Sequence, residues 1–391
     1  MRSKIFLIHI FSCYFLFAQV SSYKNSSIKL IKKLSSPKFF GRGYVNNGHK
    51  KAAIYLRKQF EKQKIDCVYI QKFPVSVVCF DKNPYVKINR KTLKPGYEYL
   101  ISSCQPTWNS SYKKDDLSKK IYIDSIKREK KPALIITKQL PPAHYASNFC
   151  NDSTIYIKKD ALPKEIKKIK IKIKSSYKEI ESQNVIGFLK GNTDSIVIIC
   201  AHYDHLGSYG KACYFPGSLD NASGVALMFS LLQYIVEHKL KFQYNIFFIA
   251  FGGEELGLKG STFFVNHLIP YTEPKKIIQV LNLDIVGTGK DGITIVNAES
   301  NINLLNHILA KNETENWFAS IKTRPNKAIS DHYPFSTVGI PSYFIYTLGE
   351  KKEYHSVYDT MDNITLSKWE SLMEMIISIL NFLNSYSKEN H

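Results

Sequence analysis

The chain has 391 residues, 44% of them apolar or aromatic and 22% charged, enough for one large domain or two ordinary ones with an ample core. That composition excludes a disordered protein, a disulfide-stapled miniprotein and a collagen-like fibre. The formal charge is +21, from 54 Lys+Arg against 33 Asp+Glu. No arginine cluster interleaved with aromatics accompanies it, so the excess reads as a solvated basic surface and not as a nucleic-acid site.

At the N-terminus, Arg2 and Lys4 precede an apolar run from Ile5 to Ala18. This is the pattern of a secretory signal peptide over residues 1–18, with cleavage expected near Ala18-Gln19. It places the mature protein outside the cytoplasm, periplasmic or secreted. A lipoprotein signal ending at Cys13 would leave a much shorter apolar stretch and is the weaker reading. No second apolar run is expected to reach membrane-spanning length.

Residues 19–79 read as the first part of the main domain. Within them 25–66 is mainly helical, with Ala52, Ala53, Leu56 and Phe60 forming an apolar stripe opposite Lys and Arg. Residues 80–180 differ in texture and read as an inserted β-rich module. Short runs such as Ala133–Thr137 and Ser153–Ile157 sit among Lys-, Ser- and Pro-rich connections. The alternation Lys167–Lys174 predicts a strand with one wet face. Outside the leader, Cys67, Cys79, Cys104, Cys150, Cys200 and Cys213 show no C-x-x-C spacing, which argues against a cysteine metal site. Export permits disulfides, and Cys104–Cys150 is one candidate pair. Cys200 ends an apolar run and reads as core.

From residue 181 to 391 the pattern becomes α/β. Val185–Leu189 and Ile196–Cys200 flank a Gly191-Asn192 turn, which predicts a hairpin. Ser223–His238 reads as helix, Asn245–Phe251 as strand, Leu256–His267 as helix and Ile277–Asp284 as strand. Ile302–Ala310 (helix), Ser342–Tyr346 (strand) and Leu366–Tyr386 (helix) follow. The fold class expected is a mixed, largely parallel sheet flanked by helices.

The polar residues that stand out follow apolar strands. His202-Tyr203-Asp204 follows Ile196–Cys200, Glu254-Glu255 follows Asn245–Phe251, and Asp284 closes Ile277–Leu283. Each has an ordinary structural explanation, as a loop histidine, a helix start or a cap. Their recurrence at the edge where α/β sheets bind ligands favours a common site. Imidazole and carboxylate ligands without thiolate suit catalytic Zn²⁺. Of two adjacent glutamates, one can bind metal while the other moves a proton. Asp204 could accept the second ring N–H of His202.

Five segments in order are similar to the di-zinc aminopeptidases of metallopeptidase family twenty-eight, the bacterial leucyl aminopeptidase-like group. They are Ala201-His202-Tyr203-Asp204, Gly217–Gly224 with Asp220-Asn221, Gly253–Ser261, Asn282-Leu283-Asp284 and Tyr354-His355-Ser356. Phe40-Gly41-Arg42-Gly43 and Lys50–Phe60 resemble that family's N-terminal segment. The resemblance implies a zinc exopeptidase fold and two Zn²⁺ ions. His202 and Asp284 would hold one, Glu255 and His355 the other, with Asp220 bridging. It implies Glu254 as general base and acid, Tyr354 as an oxyanion partner, Asp204 behind His202 and Asp359 behind His355, and a cis Asp220–Asn221 peptide. The expected reaction is removal of N-terminal residues from peptides. The alternative is a glutaminyl cyclase-like transferase using one zinc on the same scaffold. Asp331-His332, either a surface loop or a pair near substrate, stays outside the ligand set.

Overall fold

A computed structural model describes residues 23–113, 121–123, 133–150, 154–268, 271–349 and 353–389; the leader expected at 1–18 lies outside them. The central sheet has eight strands: β1 Cys67–Cys79, β2 Ser176–Leu189, β3 Ile196–His202, β4 Asn245–Phe251, β5 Ile277–Leu283, β6 Gly292–Val296, β7 Ile321–Arg324 and β8 Ser342–Leu348. Their order is β1-β2-β4-β3-β5-β8-β6-β7. The inner strands β4, β3, β5 and β8 are mutually parallel, whereas β1/β2, β2/β4 and β6/β8 pair antiparallel.

Residue alternation explains how this sheet is covered. In β3, Val197, Ile199 and Ala201 join one apolar cluster. Ile196, Ile198 and Cys200 join the cluster on the opposite face. Such strands are apolar throughout because both faces are buried. The first face carries the helices α1 (residues 23–34), α2 Gly48–Lys62, α3 Ser223–Glu237, α5 Ile302–Glu315 and α7 Trp369–Glu389. The second carries α4 Lys259–Leu268 and the short α6 Tyr333–Ser336, through Phe264, Val265 and Phe335. The expected stripe on α2 is buried, Ala52 and Leu56 completely.

Three expectations need correction. β2 and β3 do not form a hairpin, because β4 lies between them. The Gly191-Asn192 turn instead packs on the approach to β4, where Asn192 N and Thr193 N donate to Gln243 O at 2.8 and 2.7 Å. A second apolar stretch of membrane-spanning length does exist, Ser218–Glu237, and it is a core helix, 89% buried. Finally, α4 begins at Lys259 because Glu254–Leu258 forms a tight turn, with Leu258 N donating to Glu254 O at 2.9 Å.

β1 and β2 pair over their whole shared length, from Cys67↔Phe188 to Cys79↔Ser176. Between their far ends lie two four-stranded sheets. One is antiparallel, in the order Lys91–Thr92, Tyr85–Ile88, Lys168–Ile173, Trp108–Lys113. The other is Tyr99–Ile101, Thr154–Lys158, Ala133–Thr137, Ile121–Ile123. In Lys168–Ile173 the lysines are exposed and Ile169, Ile171 and Ile173 buried, the alternation a one-sided strand requires. A second core joins both sheets to Leu206, Tyr209 and Phe215 of the main domain. Cys104 and Cys150 form a disulfide within this region.

Candidate active site

The parallel strands β3, β4 and β5 end on the same edge of the sheet, and each delivers acids or imidazoles there. His202 is the last residue of β3 and Asp284 follows β5 directly. Asp220 lies in the turn Ser218–Ala222 that leads into α3, and the Asp220–Asn221 peptide is cis, as the resemblance implies. Asn221 fixes this turn to the end of β5: its Nδ2 donates to Leu283 O at 2.9 Å, and its Oδ1 accepts from Gly224 N at 2.9 Å.

Two triads result, with one carboxylate in common. His202 Nε2 lies 3.2 Å from Asp220 Oδ1 and 3.3 Å from Asp284 Oδ1. His355 Nε2 lies 2.9 Å from Asp220 Oδ2 and 3.3 Å from Glu255 Oε2. Each oxygen of Asp220 therefore faces a different imidazole. Glu254 stands beside the first triad, its Oε2 4.0 Å from His202 Nε2.

The donor set suits a divalent cation. Tetrahedral ligands about 2.0–2.1 Å from zinc are separated by about 3.3 Å, close to the 2.9–3.3 Å between imidazole nitrogen and carboxylate oxygen in the two triads. Protonation points the same way. His202 Nδ1 donates to the carbonyl of Asp204 at 3.2 Å, a group that can only accept, so Nε2 is the nitrogen left for the two carboxylates: an N–H donor while the ring is protonated, a ligand once that proton is displaced. Burial lowers the basicity of His202, but Asp284, Glu254 and Asp220 outweigh it and push the imidazole well above its ordinary value. The cluster thus carries surplus negative charge. Asp220, whose burial alone would raise it, is held well below the carboxylate range by His202 and His355. Glu254 is raised well above it by burial, reinforced by Glu255, Asp331 and Asp284 against the opposing pull of His202.

The residues around the triads depart from expectation in several places. It is the backbone carbonyl of Asp204 that meets His202; the carboxylate is 3.8 Å from that ring. Asp204 instead accepts the amides of Glu254 and Glu255 at 3.1 and 3.4 Å, setting the tight turn after β4. Asp359 does not touch the His355 ring either. It accepts the amides of Leu219 and Asp220 at 2.7 and 3.0 Å, so it holds the shared aspartate by its backbone. Tyr354 stacks on the His355 ring, centroids 3.7 Å apart, and remains part-exposed. Asp331 and His332 do not form a surface loop. Both are buried, and Asp331 Oδ1 accepts from Ser261 Oγ at 2.5 Å, which pins the start of α4.

Two residues of the site had no role in the sequence reading. His205 is fully buried, and its Nδ1 lies 2.8 Å from Glu255 Oε1 but 4.0 Å from Asp220 Oδ2. His205, Asp220 and Glu255 also bring ligand atoms within reach of one cation, and His205 meets the oxygen of Glu255 that His355 does not face. Arg42, also fully buried, donates from Nε to Tyr203 O, from Nη1 to Leu34 O and Pro216 O, and from Nη2 to Gly217 O and Asp220 O, at 2.6–3.3 Å. Burial lowers its pKa to about 10, against the pull of Asp359, Asp220 and Asp204. A single guanidinium thus satisfies carbonyls on both sides of the acidic cluster and supplies a fixed positive charge beneath it. Arg42→Met is expected to reduce unfolding free energy by about 3–5 kcal/mol, since those carbonyls lose their donors without access to water. Denaturant titration checks this, and a loss below about 1 kcal/mol would mean other donors reach them.

The family model for peptidase family M28 matches residues 184–380, a span that contains both triads and Glu254. The chain belongs to peptidase family M28. Among curated proteins this M28 chain is 31% identical over 206 residues to aminopeptidase YwaD of Bacillus subtilis (strain 168), covering 50% of the chain and 43% of that protein. It is 27% identical over 203 residues to a probable leucine aminopeptidase of Arthroderma otae, covering 50% of the chain and 56% of that protein. It spans about half the length of these curated relatives. Among solved structures it is similar to a zinc aminopeptidase from Bacillus subtilis, with TM-score 0.66 and 22% identity over 90% of this chain and 93% of that one. A peptidase M28 precursor from Shewanella amazonensis gives TM-score 0.69 and 16% identity over 95% of each chain. These structural likenesses establish that the mixed α/β architecture, beyond the matched span, is an M28 fold.

Proposed function

We propose that this M28 member is an exported zinc-dependent exopeptidase that removes N-terminal residues from peptides with a pair of zinc ions. The observation that carries the reading is the single carboxylate of Asp220 facing two imidazoles, each completed by a second acid. His202, Asp284 and Asp220 would hold one zinc, and His355, Glu255 and Asp220 the other. When bound, zinc supplies Lewis-acid polarisation of a peptide carbonyl and acidifies water.

The remaining work falls to the protein. Glu254 accepts a proton from the attacking water and returns it to the leaving amine. Its Oε2 lies 4.0 Å from His202 Nε2 and it belongs to neither triad, so its carboxylate is free to take and release a proton beside the centre. Asp204 holds Glu254 and Glu255 at a fixed separation through their amides. Tyr354, on the His355 ring, is the candidate donor to the developing oxyanion. The disulfide Cys104–Cys150 and the apolar run Ile5–Ala18 support export into an oxidising compartment.

A panel of fluorogenic aminoacyl substrates, with and without chelator, tests the activity. Turnover of substrates with a free α-amino group is expected, together with its loss on chelation and return on adding Zn²⁺. No turnover anywhere in the panel would sink the proposal. Metal analysis separates the cyclase alternative: two equivalents per chain support the exopeptidase, whereas one equivalent with pyroglutamate formation would favour the transferase.

A further inference from the structure

The inserted sheets pack on the segment that carries His355 at two places: Gly96 and Tyr97 meet Val357 and Tyr358, and the loop at residues 143–145 meets His355 itself. Ala143 N donates to His355 O at 3.0 Å. The ring of the next residue, His144, meets the His355 ring edge-on, with centroids 5.2 Å apart at 75°. The hydroxyl of Tyr145 then accepts from Tyr44 N at 3.1 Å. That hydroxyl fills a space made by two glycines: a Cβ on Gly43 would lie 1.9 Å from it, and one on Gly207 2.2 Å. Ala146 O accepts from Val78 N at 2.9 Å, tying the loop back to β1. Cys150, at its far end, is anchored by the disulfide to Cys104.

His355 needs such support. Its backbone is left-handed at φ 53°, a conformation that costs a non-glycine residue about 1–3 kcal/mol and persists where the surroundings over-determine it. A metal-binding imidazole is usually oriented by a hydrogen bond from its second ring nitrogen. Nδ1 of His355 is buried and has no hydrogen-bond partner among the described residues. Apart from the contacts of Nε2 with Asp220 and Glu255, what holds the residue is its carbonyl, bonded by Ala143, and the rings packed around it: Tyr354 on one face, with His144 and His205 at 5.2 and 5.8 Å.

We infer that the loop Ala143–Tyr145 is a positioning element for His355, and through it for the cation assigned to His355, Glu255 and Asp220. The inference rests on the dinuclear reading above. On this view the inserted module, although distant in sequence from every ligand, completes one half of the centre.

Two variants test it, His144→Ala, which removes an exposed side chain, and Tyr145→Phe, which removes the hydroxyl and leaves the ring. The affinities of the two zinc equivalents are measured by chelator competition, with Lys170→Ala on the inserted sheets as control. One equivalent should weaken about 10–100-fold in both variants and the other stay unchanged. In the metal-free protein, amide hydrogen exchange across residues 353–359 should quicken in both variants and not in the control. Folded variants with wild-type affinities and wild-type exchange would overturn the inference. Wild-type protein that binds no cation would overturn the dinuclear reading instead, and the exchange data would still decide whether the loop holds His355.

Discussion

Replacing Glu254 by alanine is expected to lower turnover of an aminoacyl substrate about 10²–10⁴-fold while metal content stays at the wild-type level. Glu254 lies outside both triads and approaches the nearer imidazole only to 4.0 Å, so its removal takes no donor from either cation. What is lost is the proton carrier. A group whose contribution arises only as the proton moves should lower kcat and kcat/KM together, with KM little changed. Steady-state kinetics and metal analysis on the same preparation check both halves. Near-normal turnover would remove Glu254 from the mechanism, and loss of an equivalent of metal would reassign it as a ligand.

Asp220→Ala should do the opposite, emptying the centre instead of stalling it. One side chain supplies an oxygen to each triad, so the substitution leaves His202 with one acid and His355 with one acid. A cation held by two protein donors keeps little of its affinity, and a loss of more than about 100-fold at both positions is expected. After dialysis the metal content should fall close to zero. Two full equivalents retained by the variant would contradict the shared role.

The ligand-bearing edge was legible in the sequence because apolar strand runs are easy to mark and polar residues at their ends stand out. His202, Glu254, Glu255 and Asp284 all stand at such ends. Asp220 and His355 carry no such local mark and were read through the family resemblance. The alternating Lys and Ile of residues 168–173 likewise announced a strand wet on one side. Strand order was not legible. The Gly191-Asn192 turn is a sound local signal, but whether β2 and β3 pair depends on a strand more than forty residues later, β4, which takes the place between them. The supporting roles escaped for the same reason. Arg42 bonds only to main-chain carbonyls, and Asp359 only to amides of Leu219 and Asp220; neither partnership leaves a trace in residue identity. Asp204 illustrates the limit best. Its neighbour His202 was singled out with it, yet the contact between them is made by the backbone, and the carboxylate serves a turn fifty residues away.

The buried guanidinium of Arg42 also bears on which part of the chain can stand alone. The span that carries the family signature, 184–380, excludes Arg42, α1 and α2, although Ile31, Leu34, Leu56 and Phe60 from those segments line the same apolar face as Val197, Ile199 and Leu281. Cut down to that span, the polypeptide would keep all seven acids and imidazoles of the two triads, Glu254 and His205. It would also bare one side of its sheet to water and strip the donors from Tyr203, Pro216 and Gly217. Autonomy as a folding unit therefore belongs to a longer stretch than the one by which kinship is recognised.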